Sequence, residues 1–514
     1  MDSPALLRSR SLTRRRFLAG GIAVGTLLVA ACSQQAAPSP TTAPAQAPAA
    51  PAQSQAPTQA PAAAPTATTA SAPAAQPAAT ATPQAQAQAP AQGATGAPVP
   101  ALLRAGSGEE TFFNQVLDLF EQKNPGIKVN RIFVPGGDEY NTKLDLMIAS
   151  GDPPAIYAPF SDRGYRYYAA KGLSQELDSF VKRDNVNLND FTPDSLKGCH
   201  WKGTLMAFPL DYWSYVTFYN RNLFKAAGLP DLPTDWSDTT FTTDKYLEYA
   251  TKATQRSGSQ VTAFGSTAYE KGWPTGRAFG GDWFKPDVYD TGICLNWTGE
   301  SDPRVAAAVQ WGADMINKQK VAPTPAQQQQ LQAGAPNLFL SGKVAMNATS
   351  IGSLPDYAKI TSFDWGIGII PKPPGGAKSM QHLWIDFWSM IKGTKNLEGA
   401  WQLLKFMVSA DAQKIYPIQF GPMSSLLSLG EYWAEVQKKT LPKITDAELK
   451  VITDAPRYEV LDLENWTVNF SPIYTQVMSP ELDKIFLGQE TAADGIKAMT
   501  PKVQKIIDET KNVG

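Results

Sequence analysis

Residues 102–134 read LLRAGSGEETFFNQVLDLFEQKNPGIKVNRIFV. Phe112, Phe113, Val116, Leu117 and Phe120 recur at spacings of three and four, the period of a helix with one apolar face. Asn124-Pro125-Gly126 stops that helix. Ile127, Val129 and the apolar run from Ile132 to Val134 read as a strand, and Leu102-Leu103 as a short strand ahead of Gly106-Ser107-Gly108. Strand, helix and strand make a βαβ unit. Its parallel pairing puts the loop from Gly106 to Glu110 at the carboxyl end of a strand, where open α/β sheets bind their ligands.

The alternation continues along the chain. Helical pattern is expected from Tyr140 to Ser150, in short pieces at 165–170 and 175–183, and again over 303–316, 397–408 and 492–509. Asp302 followed by Pro303 has the chemistry of a helix start. Strands are expected at 154–157, 205–209, 215–219, 364–370 and 387–391, the fourth closed by the turn-rich PKPPGG at 371–376. About 410 residues follow Pro100, too many for one ordinary core, so the pattern calls for two α/β lobes.

The chain ahead of these lobes has a different character. Phe17 to Ala31 is apolar, but a bilayer span needs about 20 such residues. Arginines at 8, 10, 14, 15 and 16 precede it and small residues end it, the layout of a secretory signal. Thr13-Arg14-Arg15-Arg16-Phe17-Leu18 resembles the twin-arginine export motif, with Ala19 where lysine is common, and Val29-Ala30-Ala31-Cys32 resembles a lipobox. Residues 1–31 are therefore expected to be a twin-arginine lipoprotein signal peptide. Cys32 would be lipidated and residues 32–100 would form a disordered linker. No charged residue stands between Arg16 and Arg104, and Ala, Pro, Gln, Thr and Ser make up nearly all of residues 33–100. Such a segment cannot bury enough apolar surface to offset its chain entropy. Its reach is roughly 45 Å as a coil and at most about 210 Å extended.

Composition narrows the function. Without residues 1–31, which hold five arginines and one aspartate, the net charge falls from −1 to about −5, giving no general attraction for nucleic acid. Only His200 and His382 are present, far apart and in no metal-ligand spacing, and the chain holds no G-x-S-x-G, phosphate-binding loop or dinucleotide fingerprint. No cofactor, metal or catalytic residue is expected on these grounds. A pair of acids for glycoside cleavage stays open, because any chain of this size offers many. Cys199 and Cys294 remain after Cys32, either as a disulfide or as two buried thiols.

FPLDYWSYVTFYNRNLFKAAGLP, residues 208–230, resembles the signature of bacterial extracellular solute-binding proteins of the sugar-binding class, the family of maltose-binding protein. Pro209-Leu210-Asp211, Phe218-Tyr219-Asn220 and Phe224 carry the likeness; Thr217 and Ala226 depart from it. SGDPPAIYAPFSDRGYRYYAAKGLSQEL, FLSGKVAMNATSIG, WGIGIIPKPPGG and NLEGAWQLLKFMVSADAQ follow in the family's order. The resemblance implies a two-lobe periplasmic-binding-protein-like α/β fold of type II, with lobes joined by crossing hinge segments near Asp211, 371–376 and Ser409. Lobe 1 is expected to comprise 101–210 and 375–410, and lobe 2 to comprise 211–374 and 411–514. It further implies a monomer, anchored through Cys32 to the outer face of the cell membrane, that hands a carbohydrate to the permease subunits of an ABC transporter. A carbohydrate-cleaving enzyme and a binder of peptides or polyol phosphates are the alternatives.

A sugar shows an apolar C–H face and a rim of hydroxyls, which proteins meet with aromatic planes and polar side chains. The resemblance points to Phe160, Asp162 and Arg163 in one loop. It also points to Trp213 with Asp211 two residues before it, to Trp384 and Asp386 after a linker, and to Ile351 where maltose binders use tryptophan. Tyr269, Trp273 and Trp283 lie among glycines in TAYEKGWPTG and GGDWF, as binding loops do. Glu109 and Glu110 open the first helix, with Glu110 expected in the site; favourable charge at a helix N-terminus explains both equally well.

Overall fold

Val99–Arg104 (β1), the helix Glu109–Lys123 (α1) and Val129–Val134 (β2) form the expected βαβ unit in the computed structural model, with β1 and β2 parallel. Phe113, Val116, Leu117 and Phe120 are buried, and the helix ends at Lys123 ahead of Asn124. Gly108, at φ +88°, makes the left-handed turn that starts α1 just after β1, a conformation costly for residues with a Cβ. The structure describes residues 96–158, 164–269, 271–332, 337–376, 381–464 and 466–512. The expected signal peptide, Cys32 and almost all of the expected linker lie outside them, as do Phe160, Asp162 and Arg163.

Two main sheets organise the described residues. The first contains β1, β2, Ile156–Tyr157 (β3), Ala207–Trp213 (β6), His382–Met390 (β12), Met423–Ser424 (β13) and Val460–Leu461 (β14). Its order is β13-β6-β12-β3-β1-β2, with β14 paired to the start of β12. The second has order β11-β7-β10-β9-β8. These are Trp365–Gly368, Tyr215–Asn220, Val344–Ser350, Gln260–Ser266 and Gln255–Ser257. A small hairpin, His200–Trp201 (β4) with Thr204–Leu205 (β5), stands apart.

The chain leaves the first sheet at Ser214, between β6 and β7, and returns to it between β11 and β12. Both places were marked in sequence, the first by the Pro209–Asn220 signature and the second by PKPPGG. β13 and β14 fall in the stretch expected for the second lobe, yet both pair into the first sheet. Two-residue strands flanked by helices give too little alternation to be read as strands at all.

Local chemistry explains several element ends. Asp302 accepts a bond from the Arg304 amide and Pro303 opens the helix Pro303–Asn317, as expected. Asn396 and Thr491 cap Leu397–Met407 and Ala492–Thr510 in the same way. The piece expected at 175–183 is shorter, Asp178–Asp184. One core runs through both sheets, and a smaller cluster of Leu102, Tyr140, Leu144, Tyr157, Tyr168 and Ile391 packs beneath the helix Asp138–Ala149 (α2). Cys199 and Cys294 are free and buried, so the disulfide alternative is not realised here. No helix of the described residues is long and apolar enough to cross a membrane.

Candidate ligand-binding cleft

β1 ends at Arg104, and the loop after it leads directly into α1. This places Arg104 and Glu109 at the carboxyl edge of the first sheet, facing Asp386 of β12. Arg104 donates two bonds to Asp386 Oδ2, each at 3.0 Å, and one to the Tyr416 hydroxyl at 2.8 Å. It also pairs with Glu109 at 3.0 Å, and Tyr416 donates to Glu109 Oε1 at 2.9 Å. Arg104 is only 3% exposed. Burial works against its charge, but Asp386, Tyr416 and Glu109 overcome that and hold it protonated. Burial pushes the Glu109 carboxyl up despite Arg104 beside it.

A cavity of about 660 Å³ opens over this network, between the two sheets. Arg104, Glu109, Trp213, Trp384, Asp386 and Phe420 line one side; Ser350, Gly352, Pro355, Asp356 and Lys359 line the other. Asp356 and Lys359 pair with each other at 2.9 Å. A second cavity of about 390 Å³ adjoins it, sharing Tyr215 and Trp384 as its wall. Trp273, Asn347, His382, Asp462, Glu464 and Tyr474 line this second space. Trp273 donates its indole N–H to Glu464 at 2.8 Å and lies 5.3 Å from the His382 ring. Burial, with Arg277 nearby, drives the His382 pKa well below its usual value, so the ring is neutral.

Sequence expectation and position compare residue by residue. Trp213, Trp384 and Asp386 line the first cavity and Trp273 the second. Asp211 lies under Trp213, fully buried and outside the lining of either cavity. Glu110 is exposed, and it is Glu109 that turns into the cleft; one residue is 100° of helix. Ile351 is buried while its neighbours Ser350 and Gly352 line the cavity, because a bond from its amide to Ser214 O turns it inward. Tyr269 is buried too, bonded to Gln381 at 2.9 Å, and Trp283 is a core residue stacked on Trp297 at 5.4 Å. Neither lines a cavity.

The sequence reading passed over Arg104, Tyr215, Phe420, Tyr474 and Glu464. For Arg104 a signal existed, since it is the last residue of a parallel strand ahead of a glycine turn. The others gather through contacts distant in sequence. Among the described residues no cluster of His, Cys, Asp and Glu is arranged to hold a metal ion.

Residues 105–414 match the bacterial extracellular solute-binding protein family, more than half of the chain. The chain belongs to that family. A binding protein of Brucella abortus and one of Brucella suis are each 24% identical to this solute-binding protein over 316 residues, 58% of this chain and 69% of the relative. A Listeria monocytogenes ABC substrate-binding protein in complex with cycloalternan has the same fold, at 20% identity and a TM-score of 0.65. The match covers 80% of this chain and 99% of that one. Maltose-bound MalE3 of T. maritima matches at 18% identity and a TM-score of 0.61, over 80% and 99% of the two chains. The solute-binding protein thus has the two-lobe fold, with the described cleft between the sheets. Asp462, Glu464 and Tyr474 of the second cavity lie beyond the matched span.

Proposed function

We propose that this protein captures a carbohydrate, specifically an oligosaccharide, in the cleft between its two lobes and delivers it to an ABC importer. One arrangement carries the reading. Two indoles, Trp213 and Trp384, flank a buried guanidinium–carboxylate network, with polar groups of the second sheet opposite. Indole faces suit the C–H faces of a pyranose, and Glu109, Asp386 and Arg104 suit its hydroxyl rim. The adjoining cavity, reached past Tyr215 and Trp384, gives room for further rings. Contacts from both sheets make closure ligand-dependent, since only the closed form has them all. The sugars in the related solved complexes, cycloalternan and maltose, support the same reading.

The boundary between the lobes falls at Ser214 and within 369–381 in this proposal, with residues 1–31 as export signal and Cys32 as lipid anchor to the outer face of the membrane. The protein acts as a monomer and leaves its ligand chemically intact. Neither Arg277 nor Arg457 presents a phosphate site in the cleft. Arg277 is locked into Asp282 and Tyr289, and Arg457 is on the surface near Asp454.

Thermal-shift screening of the purified chain against neutral oligosaccharides, peptides and polyol phosphates tests the reading, because a ligand bound only by the native form raises Tm by mass action. Stabilisation by neutral oligosaccharides is expected, with the sugar recovered uncut by chromatography. Stabilisation by peptides or phosphates alone, or recovery of shorter sugars, refutes it.

A further inference from the structure

Trp213 and Trp384 stand opposite each other on the antiparallel strands β6 and β12, and so do Asp211 and Asp386. Residues two apart on a strand share a face. The four side chains therefore form a rectangle on the cleft side of the first sheet. Each strand repeats the same bond: Trp213 Nε1 donates to Asp211 Oδ1 at 3.0 Å, and Trp384 Nε1 donates to Asp386 Oδ1 at 2.9 Å. Otherwise the two aspartates differ. Asp386 lines the cavity and its second oxygen takes both Arg104 bonds. Asp211 is 0% exposed, and its Oδ2 has no hydrogen-bond partner among the described residues.

We propose that Asp211 is a positioning residue for ligand capture. It does not touch the solute but fixes the plane of Trp213 through the indole N–H, so that Trp213 and Trp384 offer aligned faces to successive rings of an oligosaccharide. The inference rests on the carbohydrate reading of the cleft.

Three observations support it. Apolar groups flank the Trp213 ring: Phe420 meets it edge-to-face at 6.2 Å, and a Cβ on Gly352 would come within 2.7 Å of it. These limit where the ring goes, whereas the N–H bond is directional and sets its rotation. Both indole N–H groups are already used within the protein, so the two rings have only their faces left to give, which selects C–H surfaces over hydroxyl acceptors. Finally, the surroundings of Asp211 favour a neutral carboxyl. Asp386 faces it from β12, Arg104 from β1, Glu109 from α1 and Tyr416 from beyond the helix Ala410–Gln413. Burial and then Asp386 hold its pKa well above the ordinary range, with Arg104 opposing. A protonated carboxyl still accepts from the indole through its carbonyl oxygen, as an asparagine side chain does.

Asp211→Asn is accordingly the variant that retains function, and Asp211→Val the one that loses it. The protein is labelled with 5-fluorotryptophan, and the Trp213 and Trp384 resonances are assigned in ¹⁹F spectra with Trp213→Phe and Trp384→Phe. In the ligand-free protein, Asp211→Asn should leave the Trp213 resonance sharp, and Asp211→Val should broaden or shift it. The other tryptophan signals report that the fold is intact. In wild type the Trp213 resonance should move as pH rises through Asp211 ionisation; in Asp211→Asn that movement should vanish. Calorimetry with maltotriose as probe should show affinity within about twofold of wild type for Asp211→Asn and about tenfold weaker for Asp211→Val, the effect of one directional hydrogen bond. Trp213→Phe should lose a similar factor, and adding Asp211→Val to it should cost nothing more. A Trp213 resonance indifferent to Asp211→Val, or an Asp211→Asn variant as weak as Asp211→Val, overturns the proposal. Should maltotriose fail to bind wild type while the fluorine pattern holds, the carbohydrate reading loses support and the positioning of Trp213 stands.

Discussion

Arg104→Met removes a guanidinium that faces Asp386, Glu109 and Asp211 together, while keeping most of the side-chain volume. Three hydrogen bonds and a 3.0 Å ion pair are lost, at a site where Arg104 is 3% exposed. Removing one partner of a buried ion pair costs about 3–5 kcal/mol, because the other charge stays behind. For about 410 residues unfolding together, the entropy of unfolding is roughly 0.9 kcal/mol/K, so Tm should fall by about 3–6 °C at pH 7.5. The loss should depend on pH with a definite sign. Burial already raises the Glu109 and Asp211 pKa values, with Arg104 opposing in both cases. Without Arg104 they rise further, so the folded form binds more protons than the unfolded chain between the ordinary carboxylate range, about 4, and the raised values. Stability then increases as pH falls through that window. The Tm gap between Arg104→Met and wild type should therefore narrow from pH 7.5 to pH 5, read by calorimetric melting at both. A gap below about 1 °C at pH 7.5, or one that widens on acidification, would refute the view of Arg104 as the cation that opposes protonation of the buried carboxyls around it.

Two further outcomes follow from the same geometry. Gly352→Ala places a methyl 2.7 Å from the Trp213 ring, so the ring must shift; binding of the best ligand from the thermal-shift panel should weaken about tenfold in calorimetry, with Tm within about 2 °C of wild type because Gly352 is at the surface. Cys199 and Cys294 are buried and their thiol pKa values are raised by that burial, so a thiol reagent at pH 8 should label neither in the native protein and both in guanidinium.

How much of this was legible depended on the range of the contacts involved. The βαβ start, the Asp302 cap and the places where the chain changes sheet are written in neighbouring residues, as apolar period, capping chemistry and proline-glycine turns. Trp213, Trp384 and Asp386, which line the first cavity, were singled out through the family resemblance. Trp273 and Trp283 were not separable: both are glycine-flanked tryptophans in one stretch. Stacking on Trp297 puts one in the core, and a bond to Glu464 holds the other at the second cavity.

The sequence by itself determined the fold class, the opening βαβ unit and its membership of the solute-binding family, because helix period, strand alternation and turn chemistry are local and survive in order along the chain. Tertiary structure alone decided which polar groups meet in the cleft. Arg104 meets Asp386 across 282 positions and Tyr416 across 312. Asp211 comes opposite Asp386 only through the register of β6 against β12. Buried charge is tolerated where its partners converge in space, and that convergence is a property of the packed sheets, not of any stretch of chain.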